Sequence, residues 1–100
     1  MVSLNWTDQA ISDLSNIAEF ISKDSQRFAR ATIAKIRTKS RDLRSYPHLG
    51  RVVPEVEVND IRELIQGNYR IIYHIVSIDQ IDVLAIHHSA KRLDTESLSR

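Results

Sequence analysis

No cysteine occurs among the 100 residues of this chain. That excludes a disulfide framework and a thiolate zinc site, and a reducing cytosol is the expected compartment. Glycine and proline are nearly as scarce, two each, which excludes a glycine-rich loop of the kind that cradles phosphates. No apolar run approaches the roughly 20 residues of a membrane helix. The start, "MVSLNW", has no basic region followed by an apolar stretch, so neither a membrane span nor a signal peptide is expected. With 42% hydrophobic and 27% charged residues the composition is that of an ordinary globular chain, and its length suits one domain over residues 1–100 with one modest core.

The net charge of +1 hides an uneven distribution. Between Arg27 and Arg51 there are eight Lys or Arg against one acid, Asp42, whereas the preceding stretch carries Asp8, Asp13, Glu19 and Asp24 against Lys23 alone. Such polarity selects an acidic partner for the basic part while the average stays near neutral.

Periodicity divides the chain. "VSLNW" (2–6) alternates apolar and polar residues and predicts a short strand. Thr7 offers a helix cap, and Ala10, Leu14, Ile17 and Ile21, with Ala18 beside them, recur at helical spacing. After "SKDS", Ser25 caps a second helix expected to run from about residue 28 to Arg44, with Ala29, Ile33, Ile36 and Leu43 as its apolar stripe. Two amphipathic helices on a short link predict an antiparallel hairpin. Pro47 and Gly50 end it. The runs "VVPEVEV", "DIRELIQ", "YRIIYHIVS" and "QIDVLAIHH" are then rich in β-branched and aromatic residues and predict strands. Gly67-Asn68 predicts a two-residue hairpin turn that pairs Leu64 with Ile71, Arg62 with Tyr73 and Ile65 with Arg70. A further turn is expected near Asp79-Gln80. The whole is an α+β domain of order β-α-α-β-β-β, the helix pair covering one face of a C-terminal antiparallel sheet. Trp6 is expected as a core anchor.

Arg70 stands in the middle of "LIQGNYRIIYHI" (64–75). An arginine in so apolar a strand needs a partner. Alternation places it with Ile72 and His74, opposite Ile71, Tyr73 and Ile75. The latter set suits the helices, which leaves Arg70 on the freer face. Two readings stand side by side. In one, Arg70 pairs with Glu63 across the hairpin and the histidines fill half-buried strand positions. In the other, Arg70 with His74, His87, His88, Lys91 and Arg92 supplies a cation and a proton-moving group for phosphate chemistry without a metal.

The ordered set "GRVVPE", "IREL", "YRIIY" and "HHSAKRL" resembles the RelE/ParE superfamily, the toxins of bacterial type II toxin–antitoxin modules. The resemblance spans Trp6 to about Leu93 and implies a small α+β toxin held inactive by a cognate antitoxin. RelE-type members cleave messenger RNA on the ribosome, using an arginine that Arg70 matches, basic residues on the preceding strand, and an arginine with a tyrosine or histidine near the C-terminus. Here the preceding strand has Ile61 and Glu63 where lysines are expected, and no tyrosine follows Tyr73. ParE-type members, similar in fold, act on DNA gyrase. The pieces "GRVVPE" and "IREL" look nearer to ParE.

The reading is therefore a ParE-like toxin that acts by binding DNA gyrase, with Arg51, Arg62 and Arg70 as target contacts. The alternative is a ribosome-dependent endoribonuclease with Arg70, His88 and Arg92 as catalytic residues. A further alternative is an inactive homologue that only binds antitoxin and represses its operon. On the second helix Arg27, Arg30, Arg37, Arg41 and Arg44 fall in one stripe about 100° wide. It is either a solvated face balanced by Asp13 and Asp24, or a docking surface in which Arg30, Arg37, Arg41 and Arg44 meet an acidic, folding-on-binding antitoxin segment. A hetero-oligomer with the antitoxin follows. No cofactor and no metal are expected, because His87 and His88, adjacent on a strand, point to opposite faces. Ser89 lacks the context of a nucleophile elbow.

Overall fold

The structure is a computed structural model that describes residues 1–90 and 93. Strand β1 (Ser3–Trp6) leads into α1 (Asp8–Ser22) and α2 (Gln26–Arg41), and a 3-10 turn over Asp42–Arg44 closes the helical part. The strands β2 (Arg51–Val52), β3 (Ile61–Gln66), β4 (Tyr69–Ser77) and β5 (Gln80–His88) follow. They form one sheet of order β1-β5-β4-β3-β2, antiparallel except for β1, which joins β5 in parallel.

Both helices start where the sequence places a cap. Thr7 Oγ1 accepts the Ala10 amide hydrogen and Ser25 Oγ accepts that of Phe28, each bond stabilising its helix by about 1 kcal/mol. The second helix was expected to be regular to Arg44; it tightens instead into the 3-10 turn after Arg41, a common ending of an α-helix. The two helices pack against one sheet face. Ala10, Leu14, Ile36 and Leu43 from the helical layer meet Leu64, Ile71, Tyr73, Ile81, Val83 and Ile86 from the strands. Trp6 and Ile33 pack at the margin of this core.

The hairpin register is the predicted one: Leu64 faces Ile71, Arg62 faces Tyr73 and Ile65 faces Arg70. Gly67 has φ +59° and Asn68 has no positive φ, the pattern of a type II′ turn with glycine in first place. The following turn falls at Ile78-Asp79, one residue earlier than expected.

One predicted strand does not form. In "VVPEVEV" only Val52, with Arg51 before it, pairs with β3. Pro54 has no amide hydrogen to continue a ladder. The amides of Val56 and Glu57 turn back to the Val53 carbonyl, and Glu57 has φ +57°. The turn lays Val53 and Val56 on the sheet face away from the helices, where they pack with Ile61, Ile72, Leu84 and Leu93. That face is covered by a small second core, and the expectation of a freer face around Arg70 is corrected accordingly.

Strand β5 carries a bulge. Ile72 faces Ala85 while Tyr73 faces Val83, so Leu84 has no counterpart and turns into the second core. Where β1 ends, α1 completes the edge of β5. Thr7 Oγ1 donates to the Val83 carbonyl at 2.8 Å and Asp13 Oδ2 accepts the Ile86 amide at 2.9 Å. Asp13 thus holds the backbone beside the bulge, a role its place in the charge pattern did not disclose. No helix among the described residues is long and apolar enough to cross a membrane.

Candidate functional site

Arg70 is 8% exposed. Its side chain emerges from β4 onto the face covered by the 53–58 turn, and it is fully engaged there. Nε donates to Glu63 Oε1 at 2.5 Å. Nη1 and Nη2 donate to the two oxygens of Glu55 at 2.8 Å each. The contact to Glu63 runs diagonally across the hairpin, because Glu63 sits opposite Ile72 rather than opposite Arg70. Glu63, itself 1% exposed, gives its second oxygen to Arg51 Nε at 2.6 Å. Two cations and two carboxylates therefore neutralise one another in a row, from exposed Arg51 through buried Glu63 and Arg70 to Glu55 at the surface.

The charge states follow. The bidentate bond from Arg70 pulls the Glu55 carboxyl down to about 2. Arg70 is held above its ordinary value, first by Glu55 and then by Glu63, against the cost of burial. The planar fork that would grip a phosphate in two places is already given to Glu55. Of the remaining groups, His87 is the direct neighbour of Arg70 on β5, and His74 lies on the same face opposite Asp82. His88 is on the other face, where its ring meets Tyr69 edge-on at 5.3 Å. The set Arg70 and His88 is thus not brought together. Arg92, third of the catalytic candidates, lies outside the described residues, as does Lys91.

The three candidate target contacts do not share a surface either. Arg51 and Arg70 converge on Glu63, while Arg62 turns the other way. Its Nη1 donates to the Gly50 carbonyl at 2.9 Å and its Nε and Nη2 to Asn59. Arg62 thereby fixes the approach to β2. Tyr73 does the same from inside: its buried hydroxyl accepts the Gly50 amide hydrogen at 3.0 Å and donates to the Pro47 carbonyl at 2.8 Å. Burial raises its pKa, opposed by the Gly50 amide and by Arg62. These bonds spend both arginine and tyrosine on the backbone of the loop that carries "GRVVPE".

The arginine stripe of α2 is different in kind. Arg30, Arg37, Arg41 and Arg44 are all exposed, and no salt bridge among the described residues involves any of them. Beside them runs an open groove of about 690 Å³ between α1 and α2, floored by Ala18, Ala29, Ile33 and Ala34 and rimmed by Arg30 and Arg37. Small side chains on both helices leave it hollow. Arg37 also stands over the ring of Trp6, 5.9 Å from its centroid, so Trp6 is a platform at the core margin as well as an anchor.

Two features of the site escaped the sequence. Glu55 belongs to a segment that reads as a strand, and only the requirement that a buried arginine satisfy all sides of its fork points to a second carboxylate. The hollow between the helices is the other: Ala18 and Ala29 read as part of the apolar stripes, and only Ala34, one turn from both Arg30 and Arg37 on α2, marks a helix face left shallow between cations. Among the described residues no three His, Cys, Asp or Glu are placed to hold a metal ion.

Comparison with known proteins identifies the family. Residues 4–93 match the family model described as the ParE toxin of the type II toxin–antitoxin system parDE. A curated relative, Toxin RelE2 of Caulobacter vibrioides, is 26% identical over 91% of this chain and 99% of its own. A solved structure titled as the chromosomal ParDE TA system from P. aeruginosa shares the fold at a TM-score of 0.72, with 24% identity over 88% of this chain and 96% of that one. With nine-tenths of its length matched by the family model, this chain belongs to the ParE toxin family of type II toxin–antitoxin systems, within the RelE/ParE superfamily.

Proposed function

We propose that the chain is a ParE-like growth inhibitor of the bacterial cytosol that acts by binding DNA gyrase and is neutralised by a cognate antitoxin in a hetero-oligomer. The observation that carries the target assignment is the burial of Arg70 with its fork bound to Glu55. Metal-free cleavage of RNA needs a cation free to follow the charge that develops on the phosphate. Here that cation is neutralised twice over and held in a structural row, and His88 stands on the opposite face. A toxin that works by occupying its target needs no such free group.

The antitoxin assignment rests on the groove between α1 and α2. An apolar floor with cationic rims suits an amphipathic helix carrying small apolar residues inward and acids at its edges. Such a segment folds on binding and places its charges against Arg30 and Arg37. The test is induced expression of the chain alone in bacteria, with pulse labelling of DNA and protein synthesis, then repeated with the antitoxin. DNA synthesis falls first while translation continues, and co-expression restores growth. If protein synthesis stops first, the endoribonuclease reading replaces this one.

A further inference from the structure

At the tip of the helical hairpin, on the side that faces the Gly67-Asn68 turn, lies a cavity of about 380 Å³ with three aromatic walls, Phe20, Phe28 and Tyr69. Phe20 is 71% exposed and Phe28 62%. Single apolar residues at a surface are ordinary, but a pair of open aromatic rings clustered at one cavity marks a contact surface.

Two charges line the same cavity, Asp24 and Lys35. Both are exposed, and no salt bridge among the described residues engages either. Lys23 and Arg27, the charged residues nearest Asp24 in the chain, do not line it. A partner of one charge sign satisfies one of the two and is repelled by the other. A second copy of the same patch, turned about a two-fold axis, satisfies both at once, because in such a contact residue i meets j and j meets i.

The spacing suits that axis. Phe28, Thr32 and Lys35 recur at steps of four and three and share one face of α2. Asp24 lies just ahead of the Ser25 cap, roughly 16 Å from Lys35 along the helix at 1.5 Å per residue. An axis that joins each Asp24 to the partner's Lys35 passes midway between them, beside Ala29 and Arg30, and sets the two α2 helices antiparallel. The two Phe28 rings then meet near the axis, offset by roughly 4.5 Å along the helices, a separation at which aromatic rings stack. Like charges stay roughly 16 Å apart, beyond the Debye length of about 8 Å at physiological salt. Arg30, Ala34 and Arg37, at the groove between α1 and α2, lie roughly 180–240° around the helix from Phe28. A contact at the hairpin tips leaves that groove open on both copies.

From the aromatic cavity and its unpaired acid and base, we infer that two copies of this chain associate face to face at their hairpin tips, Asp24 of each against Lys35 of the other, with the Phe28 rings packed at the axis. The inference does not depend on which target the toxin acts upon. The patch is small, which suits a weak, reversible contact with a Kd on the order of 10 µM.

The experiment is sedimentation velocity on the full chain over roughly 1 to 500 µM, a range that brackets that constant. A monomer passes into a dimer across it. Asp24→Lys and Lys35→Asp, each shown folded by circular dichroism, set like charges opposite one another, and each weakens association about a hundredfold. Mixed in equal amounts, the two variants pair with each other at close to the affinity of the unaltered chain, since one now offers two lysines at the contact and the other two aspartates. Phe28→Ser weakens association at least tenfold. Antitoxin affinity is unchanged in all three. An unaltered chain that remains monomeric across the range overturns the inference, as does a dimer that neither charge reversal weakens, or a mixture of the two variants that does not pair. Loss of antitoxin affinity in the single variants assigns the face to the antitoxin and overturns it too.

Discussion

Arg70 and Glu55 are bound through two parallel hydrogen bonds of 2.8 Å, from a strand that is buried to a turn that is exposed. This contact, with the Val53 and Val56 side chains, fastens the 53–58 turn to the sheet. Truncating Arg70 would leave Glu63 buried with only one cation and Glu55 with none. Breaking a buried pair in this way costs about 3–5 kcal/mol. Arg70→Ala is therefore expected to lower the stability measured by urea unfolding by that amount, and Arg70→Lys by less, since it keeps the charge but loses the fork. Growth inhibition should fall only as far as the folded fraction falls. A variant of unchanged stability with no toxicity would make Arg70 part of the mechanism instead.

The same contact gives a pH dependence. Glu55 titrates at about 2 in the folded chain against its ordinary 4.5, chiefly because Arg70 donates to its carboxylate. A depressed carboxyl stabilises the fold above its unfolded value and ceases to do so as it is protonated in the folded state. The contribution is thus complete above about 4.5 and disappears as the pH falls toward about 2. Urea unfolding of the wild type and of Glu55→Gln should differ by a constant amount near neutral pH, and the difference should close across that window. A gap that survives at the acid end would show that Glu55 acts through packing and not through its charge.

How far the residues alone disclosed this arrangement depended on the range of the forces involved. Local signals read correctly: Thr7 and Ser25 as caps, Gly67-Asn68 as the turn, and hence the whole β3–β4 register, follow from backbone chemistry within four or five residues. The strand over 52–58 was misread because its β-branched residues satisfy the same propensity whether they lie in a ladder or plug a sheet face, and Pro54 decides against the ladder. Arg70 shows the middle case. Alternation gave its face, and of the two readings left open the pairing with Glu63 is the one the structure contains, but the cover over that face comes from a turn fifteen residues away. Asp13 is the far case, serving the Ile86 amide seventy-three residues on, which no periodicity in α1 encodes.

Gly50 has a steric reason to be glycine. A Cβ there would collide with the Glu63 carbonyl oxygen and stand 2.8 Å from the Tyr73 hydroxyl. The obstacle is strand backbone on one side and a fully buried ring on the other, so neither can give way easily. Gly50→Ala is expected to cost about 3 kcal/mol, and Tyr73→Phe, which removes the two bonds of the hydroxyl while keeping the ring, about 1–2 kcal/mol. Because both changes act on the Tyr73–Gly50 contact, their costs should not add in the double variant. Strict additivity, measured by thermal unfolding, would mean that the hydroxyl is held by Pro47 alone.

The groove between α1 and α2 makes a separate prediction, because filling it should harm binding and spare folding. Ala34 is exposed and lines the groove, whereas Ala31 is exposed and does not. A tryptophan at position 34 occupies the space meant for the antitoxin helix without burying any polar group of this chain. Ala34→Trp is expected to weaken antitoxin binding by about 3 kcal/mol or more, roughly a hundredfold or greater change in Kd, while the melting temperature stays within about 2 °C of wild type. Ala31→Trp, equal in size and in helix propensity, should leave both unchanged. Isothermal titration of the two variants against the antitoxin separates the outcomes. Equal affinities would place the antitoxin helix elsewhere on the toxin, and an affinity loss in both would point to a general effect of an added indole on α2 and not to the groove.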